Sequence, residues 1–325
     1  MNQKMTVHKR NAKVKDPLVS VILSDWSVRD KFQALDWLNR QDAPRDEYEL
    51  IWVELYDRVS PEAMAHADVV ITCSQKGVYS KHNGHNIGYL HARGQIVTVC
   101  DSDAVFPPDF ICSIRKSFSR NSSGELKSLV LMHDEYRNNS IPYPDGILTI
   151  EKVRSYPWLP LWKNAGACNS VLKADAIRLG GWDEHRSFRG PACGGDLLWR
   201  LINAGVPQKW HDDSVALYHF AHPHPEVFEV FSFSVKMWRE LVTPYVHGAA
   251  YVAVESFATG RLLPLKENHE VHRARMSLRT IGSEAESAIG NLPISVTGFT
   301  RMQKARMYLK FYRYKLALLV KFGWR

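Results

Sequence analysis

A short apolar run that ends in two closely spaced acids constrains this chain more than any other feature. Residues 96–100 read Ile-Val-Thr-Val-Cys, a composition typical of a strand that is buried on both faces of a sheet. Asp101 and Asp103 follow at the carboxyl end of that strand, where open α/β sheets bind their ligands. The two carboxylates repel each other unless a cation lies between them, so the pattern predicts a metal that also contacts a diphosphate.

Strand and helix patterns alternate along most of the chain, which favours a mostly parallel, Rossmann-like α/β sheet flanked by helices. A helix over residues 86–94 is predicted to end at Gly94, just before the acidic strand. Residues 134–165 are predicted to form an ordered surface loop, and the chain beyond Pro225 is predicted to be largely helical. The other predicted strands are Leu18–Leu23, Leu50–Val53, Val69–Thr72 and Val215–Phe220, and the other predicted helices are 29–40, 107–120 and 196–204.

The basic charge of the chain is concentrated at its C-terminus. Residues 301–325 contain eight lysines and arginines and no acid, which equals the net charge of +8 for the whole chain. Apolar residues recur there every three or four positions, so the segment is predicted to form an amphipathic helix with a cationic face. Such a helix either lies on an anionic membrane surface or packs against the rest of the protein, and the sequence leaves both open.

Cysteine usage and the absence of membrane signals indicate a cellular compartment for the protein. The chain has five cysteines, an odd number, and no Cys-x-x-Cys pair, which favours a reducing compartment over a disulfide framework. The sequence contains no apolar run long enough to span a bilayer and no signal-peptide pattern after its basic N-terminus. We therefore expect a cytoplasmic protein, peripheral on the inner face of the membrane if the C-terminal helix binds lipid.

A set of motifs, spaced in order between residues 17 and 225, resembles one enzyme family. An isolated Asp-x-Asp is a weak signal, whereas the ordered set is specific. The motifs are Val19–Leu23, Glu49–Glu54, Asn86-x-Gly88-x-x-x-Ala92-x-Gly94, Asp101-Ser102-Asp103 and Gly180-Gly181-Trp182-Asp183-Glu184. With these residues the chain resembles the inverting family 2 glycosyltransferases, which have the GT-A fold.

The resemblance implies a domain organisation and a reaction. A GT-A domain for nucleotide-sugar binding and catalysis would span residues 17–225, after a flexible basic lead over 1–16 and before a helical extension over 226–300 and the basic helix over 301–325. The implied reaction moves a sugar from a nucleotide diphosphate-sugar, with a UDP-sugar favoured, to an acceptor hydroxyl with inversion. Mn²⁺ or Mg²⁺ is the implied cofactor, and a glycan or lipid-linked acceptor in cell-surface polysaccharide or glycolipid synthesis is the implied partner.

The resemblance also assigns residues to the parts of this site. Histidine at the end of the last predicted strand often supplies a further metal ligand in the family, so His219 is implied as a ligand and His222 as the second choice. The metal set is Asp101, Asp103 and His219; the donor-binding set is Ser24, Trp26, Glu54, Asn86, Asp101 and Asp103; and the acceptor set is Asn164, Trp182 and Asp183.

Asp196 is implied as the general base that takes the proton of the acceptor hydroxyl. The sequence departs from the family here, because the usual glutamate before this aspartate is replaced by glycine in Cys193-Gly194-Gly195-Asp196. The family's Pro-Thr-Tyr-Asn after the first strand is likewise Ser24-Asp25-Trp26-Ser27. On residue type alone, Asp196 also suits an ordinary helix N-cap, and the tryptophans and histidines also suit a core.

Three other functions compete with a glycosyltransferase. A nucleotidyltransferase also uses strand-end carboxylates and metal, but the sequence has no glycine-rich phosphate loop with lysine near the first strand. A degenerate GT-A domain that binds nucleotide-sugar or membrane without catalysis stays open because of the departures from the family. A nucleic-acid partner is not expected, since the charge outside residues 301–325 is balanced.

Overall fold

The computed structural model describes most of the first 222 residues, with their gaps. The described residues are 5–11, 14–74, 81–161, 164, 166–178, 181–182, 195–203, 206–222 and 302. Their strands are β1 (Thr6–Arg10), β2 (Val19–Asp25), β3 (Tyr48–Glu54), β4 (Val69–Thr72), β5 (Ile96–Asp101), β6 (Ala104–Val105), β7 (Val130–Met132), β8 (Glu135–Pro142), β9 (Cys168–Leu172), β10 (Gln208–Trp210) and β11 (Leu217–Ala221). Their α-helices are α1 (Gln33–Leu38), α2 (Pro61–His66), α3 (Lys81–His91), α4 (Phe110–Ser117), α5 (Ile150–Arg154), α6 (Lys173–Arg178) and α7 (Asp196–Asn203).

The strands form a large sheet and a small one. The large sheet has eight strands in the order β1-β4-β3-β2-β5-β9-β7-β10, and the small sheet has the order β6-β11-β8. The strands from β4 through β3 and β2 to β5 are parallel, while β9 pairs antiparallel with β5 and β7. The prediction of a mostly parallel α/β sheet flanked by helices is confirmed. The predicted helical C-terminal extension lies outside the described residues.

Helices cover both faces of the large sheet, which explains why its central strands are mostly apolar between their ends. Alternate residues of β2 point to opposite faces, so Val21 and Leu23 pack with α1 and α4 while Ile22 packs with α3 and α7. Every residue of β2 and β3 is buried. This two-sided burial is the physical reason that a continuous apolar run predicted each strand correctly.

Glycine spacing in and after α3 allows this helix to approach β2 closely. A Cβ added at Gly88 would lie 2.5 Å from Ile22 Cγ2, and one at Gly94 would lie 2.7 Å from the backbone nitrogen of Ser20. Residues 86–94 were predicted as one helix, but α3 spans Lys81–His91 and Gly94 lies in the turn before β5. The glycines of this sequence motif are therefore explained in part by the close packing of α3 and the following turn against β2.

Three parallel strands end in acids at the same edge of the sheet. β2 ends at Asp25, β3 at Glu54 and β5 at Asp101, and Asp25 lies in register with Glu54. Ser24 lies in register with Asp101 on the other side of β2. This carboxyl edge of the sheet is where ligands bind in open α/β folds.

Two predicted irregular segments contain regular structure. The prediction that Thr6–Arg10 belongs to a flexible lead over residues 1–16 is wrong. These residues form β1, which pairs antiparallel with β4. Residues 134–165, predicted as a loop, contain β8 and α5. In both cases the strand is polar and partly exposed, so the apolar pattern that reveals a buried strand is missing.

The cysteine pattern favours a reducing compartment over a disulfide framework, and the structure has one disulfide among its described residues. Cys100 and Cys168 are paired as a disulfide, because the register of β5 and β9 sets them directly opposite each other. Cys73 is buried, Cys112 is half-buried, and Cys193 lies outside the described residues. Among the described residues, no helix has both the length and the apolar composition that a membrane crossing requires.

Candidate active site at the carboxyl edge of the sheet

Asp103 is the centre of a buried charge cluster in the turn after β5. The side chain is 3% exposed, and three groups face its Oδ2: Arg29 Nη2 at 2.6 Å, His222 Nε2 at 3.1 Å and His219 Nε2 at 3.6 Å. Burial alone would raise the pKa of Asp103, but His219, Arg29 and His222 together hold that pKa well below its ordinary value. Asp103 is therefore an ionised carboxylate at neutral pH.

The same cluster fits a divalent metal. One ligand atom from each of Asp103, His219 and His222 lies within 4.8 Å of the other two. Asp103 Oδ1 is buried and has no hydrogen-bond partner among the described residues, so its lone pairs are available to a cation. A carboxylate with two imidazoles suits Mn²⁺ better than Mg²⁺, which prefers oxygen ligands.

Strand pairing brings the histidines to Asp103. β11 pairs antiparallel with β6, and His219 lies in register with Ala104, the residue that follows Asp103. His222 follows the end of β11, and its ring centroid lies 5.2 Å from that of His219. The predicted pairing of Asp103 with His219 is thus a consequence of the small sheet.

Asp101 lies apart from the cluster, because Ser102 and Asp103 turn the chain away from β5. Its carboxylate forms an ion pair with Lys81, the first residue of α3, and its side chain is 26% exposed. Lys81 Nζ also donates a hydrogen bond to the carbonyl oxygen of Gly166 at 3.0 Å. The two acids predicted to share one metal therefore have different cationic partners.

A second pair of acids lies at the ends of β2 and β3. Glu54 is fully buried, and Ser27 Oγ donates a hydrogen bond to its Oε1 at 2.8 Å. Burial and then the charge of Asp25 raise the pKa of Glu54 to about 7. Burial also raises the pKa of Asp25, against the opposing charges of Arg29 and Arg58, and Arg58 Nη2 lies 2.8 Å from Asp25 Oδ2. Near neutral pH this pair can both donate and accept hydrogen bonds.

Arg29 connects the two acidic groups and was not predicted. Its guanidinium contacts Asp103, lies 3.9 Å from Asp25 Oδ1, and lies 5.2 Å from the centroid of the Trp26 ring. Arg29 is 6% exposed, so this is a buried arginine. The available signal was Asp25 itself, a second acid at a strand end with an arginine four positions later.

Sequence reasoning also missed Glu135, a buried acid of β8. It is 1% exposed, forms an ion pair with Arg137, and accepts a hydrogen bond from Asn164 Nδ2 at 2.8 Å. Its Oε2 lies 3.9 Å from Nδ1 of His219, on the side of the ring away from Asp103. Asn164, predicted to bind the acceptor, therefore holds a carboxylate that faces His219.

Asn86 and Trp182 contact each other. Asn86 Nδ2 donates to the Trp182 carbonyl at 2.8 Å, and the Trp182 amide donates to Asn86 Oδ1 at 2.8 Å. Trp182 is 1% exposed and packs against His82 and His85 with ring centroids 5.1 and 5.0 Å away. These contacts join the turn at residues 181–182 to α3 and bury the tryptophan in the core on that face.

The remaining predicted residues have mixed positions. Ser24 is buried at the end of β2, and its hydroxyl has no hydrogen-bond partner among the described residues. Trp26 is half-buried beside Arg29. Asp196 is the first residue of α7, but its side chain lies outside what the structure describes, as do Asp183 and the segments 226–300 and 303–325.

No family model and no curated protein matches the chain. Solved structures that are similar to it include S. aureus TarS 1-349 in complex with UDP-GlcNAc, which is 14% identical with a TM-score of 0.49 over 71% of this chain and 66% of that one. The mannosyltransferase PcManGT from Pyrobaculum calidifontis, in complex with GDP-Man and Mn²⁺, is 14% identical with a TM-score of 0.47 over 98% of this chain and 91% of that one. GalNAc-T7 with UDP, GalNAc and Mn²⁺ is 12% identical with a TM-score of 0.49 over 86% of this chain and 57% of that one.

These three likenesses are distant. The chain spans 66% of the TarS structure and 57% of the GalNAc-T7 structure, so neither is matched over its whole length. At such identities and overlaps, the comparisons assign neither a family nor an activity to this chain.

Proposed function

We propose that this chain is a metal-dependent glycosyltransferase that moves a sugar from a nucleotide diphosphate-sugar to an acceptor hydroxyl with inversion. The observation that carries the proposal is the cluster of the buried Asp103 with the half-buried His219 and His222 at the carboxyl edge of the sheet. It lies beside Asp25 and Glu54, with Arg29 between the two groups. A diphosphate linked to a nucleoside needs this combination of a cation site and polar groups in one place.

The three clustered residues would hold the metal. Bound there, the ion would neutralise negative charge as the nucleoside diphosphate leaves the sugar. Asp103 supplies the only carboxylate among the three, and burial keeps water from competing for it. Asp101 is proposed to contact the donor through its partly exposed carboxylate, beside Lys81.

The nucleoside is proposed to bind at the ends of β2 and β3. Glu54 would hydrogen-bond the ribose or the base, since its carboxyl group can donate as well as accept near neutral pH. Trp26 would stack on the base, and the Ser24 hydroxyl is a buried group without another partner among the described residues. A UDP-sugar is the favoured donor.

Asp196 is proposed as the general base. In an inverting transfer, the acceptor oxygen forms a bond to the anomeric carbon while the bond to the diphosphate oxygen breaks. The acceptor hydroxyl loses its proton in that step, and a carboxylate at the start of α7 can accept it. The acceptor is proposed to contact Asn164 and Asp183, whereas Trp182, predicted to be a third contact, is 1% exposed and would act only from the core.

A nucleotide-sugar screen by thermal shift, with and without Mn²⁺, tests the donor and the metal together. A matching donor raises the melting temperature because it binds only the folded state. We expect a shift with one nucleotide-sugar that depends on Mn²⁺, followed by transfer with an inverted anomeric configuration by NMR. Retention of configuration would contradict inversion, and failure of every nucleotide-sugar to bind would contradict the proposal as a whole.

The catalytic assignment has a separate test. Asp196→Asn should keep donor affinity and lose transfer, because only proton removal is affected. An active Asp196→Asn enzyme would assign the base to another residue. A wild-type protein that binds a nucleotide-sugar without transferring it to any acceptor would instead support the degenerate binding domain.

The basic segment 301–325 is proposed to hold the protein at the inner face of a membrane, near a lipid-linked acceptor. Cationic amphipathic helices bind anionic lipid surfaces through both charge and apolar area. Deletion of residues 301–325 should release the protein from anionic liposomes in a sedimentation assay. Equal sedimentation of the truncated and full-length chains would exclude this role.

A further inference from the structure

Arg29 occupies the position that a metal would need at Asp103. Its Nη2 lies 2.6 Å from Asp103 Oδ2, and this is the oxygen that also faces Nε2 of His222 at 3.1 Å and of His219 at 3.6 Å. A guanidinium stays protonated in proteins, so Arg29 remains a cationic partner of Asp103 at any ordinary pH. The contact is buried, since the side chains of Arg29 and Asp103 are 7% and 3% exposed.

A divalent cation bound by Asp103, His219 and His222 would compete with Arg29. Both cations need lone pairs of the same carboxylate, and two positive charges this close repel strongly where water is excluded. An ion bound through Oδ2, the oxygen that faces both histidines, would displace the guanidinium from that oxygen. Removal of Arg29 should then make metal binding easier.

The other contacts of Arg29 indicate where the guanidinium can act. Its Nε lies 3.4 Å from Ser102 Oγ and 3.9 Å from Asp25 Oδ1, and its guanidinium lies 5.2 Å from the Trp26 ring centroid. Ser102 precedes Asp103 of the metal cluster, while Asp25 and Trp26 belong to the proposed nucleoside end, so Arg29 contacts both parts that a diphosphate must connect. Its backbone carbonyl accepts a hydrogen bond from Arg58 Nη1 at 2.7 Å, so the backbone stays anchored while the side chain changes partner.

We propose that Arg29 is an exchangeable counter-ion: it neutralises Asp103 in the metal-free protein and binds the donor's diphosphate once a divalent cation takes over that carboxylate. The planar guanidinium matches phosphate oxygens, which allows the exchange of one oxyanion for another. This inference rests on the proposed metal site and deepens it. It predicts that replacing Arg29 strengthens the binding of Mn²⁺ and weakens the binding of a diphosphate.

Calorimetric titration of Arg29→Gln tests both parts of the proposal, the competition with the metal and the binding of the diphosphate. Mn²⁺ alone should bind about tenfold more tightly than to the wild type, because the positive charge of the Arg29 guanidinium no longer competes for Asp103. Inorganic pyrophosphate, titrated at saturating Mn²⁺, should bind about tenfold more weakly, because the guanidinium is missing. A purely structural role of Arg29 would weaken both ligands together.

Arg45→Gln is a matched control. Arg45 Nη2 also lies 2.6 Å from an aspartate oxygen, Oδ2 of Asp68, but this pair precedes β3 and β4 at the opposite edge of the sheet. The substitution removes the same charge, so Mn²⁺ and pyrophosphate affinities close to those of the wild type are expected. Equal changes in both variants would assign the effect to net charge and overturn the proposal.

Arg29→Lys keeps the test decisive if Arg29→Gln does not fold. Lysine keeps the charge but loses the planar fork, so we expect Mn²⁺ affinity near that of the wild type and weaker pyrophosphate binding. Unchanged pyrophosphate affinity in Arg29→Lys, or unchanged Mn²⁺ affinity in a folded Arg29→Gln, would overturn the exchange. A wild-type protein that does not bind Mn²⁺ would instead contradict the proposed metal site itself.

Discussion

Two pairs of histidines in this protein have nearly the same spacing and opposite environments. His133 and His211 have ring centroids 4.5 Å apart, and His219 and His222 have centroids 5.2 Å apart. The first pair is buried, with Nδ1 atoms 2.7 Å apart and with Ser170 and Ser113 on the outer nitrogens. The second pair faces the carboxylate of Asp103.

The partners of each pair, and not the histidines themselves, determine what the pair can do. Burial is the main cause that lowers the pKa of His133, and it lowers the pKa of His211 to about 4. These rings are neutral, and all four ring nitrogens have hydrogen-bond partners, so they have no lone pair left for a cation. His219 and His222 have a buried anion in front of them, which is the condition for a metal site.

The largest expected effect comes from Asp103→Asn, which removes the feature that distinguishes the two pairs. The amide is neutral and a poor ligand, and Arg29 loses the anion that it neutralises. We expect Mn²⁺ affinity to fall by about 1,000-fold or more, the equivalent of about 4 kcal/mol. Asp101→Asn is the comparison, because the carboxylate of Asp101 pairs with Lys81. Mn²⁺ titrations in which both variants lose equal affinity would restore Asp101 as a ligand.

The buried pair should make the protein acid-labile. Because the pKa of His211 is about 4 in the folded state and about 6.5 when unfolded, the unfolded chain binds the proton first. Stability is then complete above about pH 6.5 and decreases as the pH falls toward 4, by roughly 3 kcal/mol from His211.

Urea unfolding of the wild type and of His211→Gln, at several pH values between 7 and 4, measures the contribution of His211 to the free energy of unfolding. The difference between the two proteins matters, because the raised pKa of Glu54 acts in the opposite direction over the same range. A pH dependence that is identical in both proteins would show that His211 does not titrate on unfolding.

Substitution of single histidines tests whether only the pair that faces Asp103 binds the metal. His219→Ala and His222→Ala should each weaken Mn²⁺ binding by about 100-fold, because each removes one ligand of a small set. His133→Phe changes the other pair and should leave Mn²⁺ affinity within about twofold of the wild type. Tight Mn²⁺ binding by both alanine variants would contradict the proposed ligand set.

The smallest expected effect comes from Glu135→Gln. Glu135 Oε2 lies 3.9 Å from His219 Nδ1, and carboxylates in that position orient metal-binding imidazoles. Glutamine keeps the size and the hydrogen bond from Asn164 but loses the charge, so we expect about tenfold weaker Mn²⁺ binding. If calorimetry gives equal Mn²⁺ affinities for Glu135→Gln and the wild type, Glu135 has no orienting role.

Much of the large sheet was predictable because its signals are local. The strand ending at Asp101 and the strand Val69–Thr72 are short, mostly apolar runs, and the structure has them within one residue of the predicted bounds. Asp103 was predictable for the same reason, as an acid placed just after such a strand. β8 was not, because its residues are mostly polar and partly exposed, and Glu135 was missed with it.

The sequence by itself determined the α/β class, the order of the central strands along the chain and the position of acids at their ends, since apolar runs and turn residues act over a few neighbours. Only the tertiary structure decided which groups meet those acids. Arg29 and His222 reach Asp103, and Lys81 reaches Asp101, through strand pairing and helix packing between segments far apart in the chain. Charge partners depend on distances in space, and these are determined by the packing of the whole sheet.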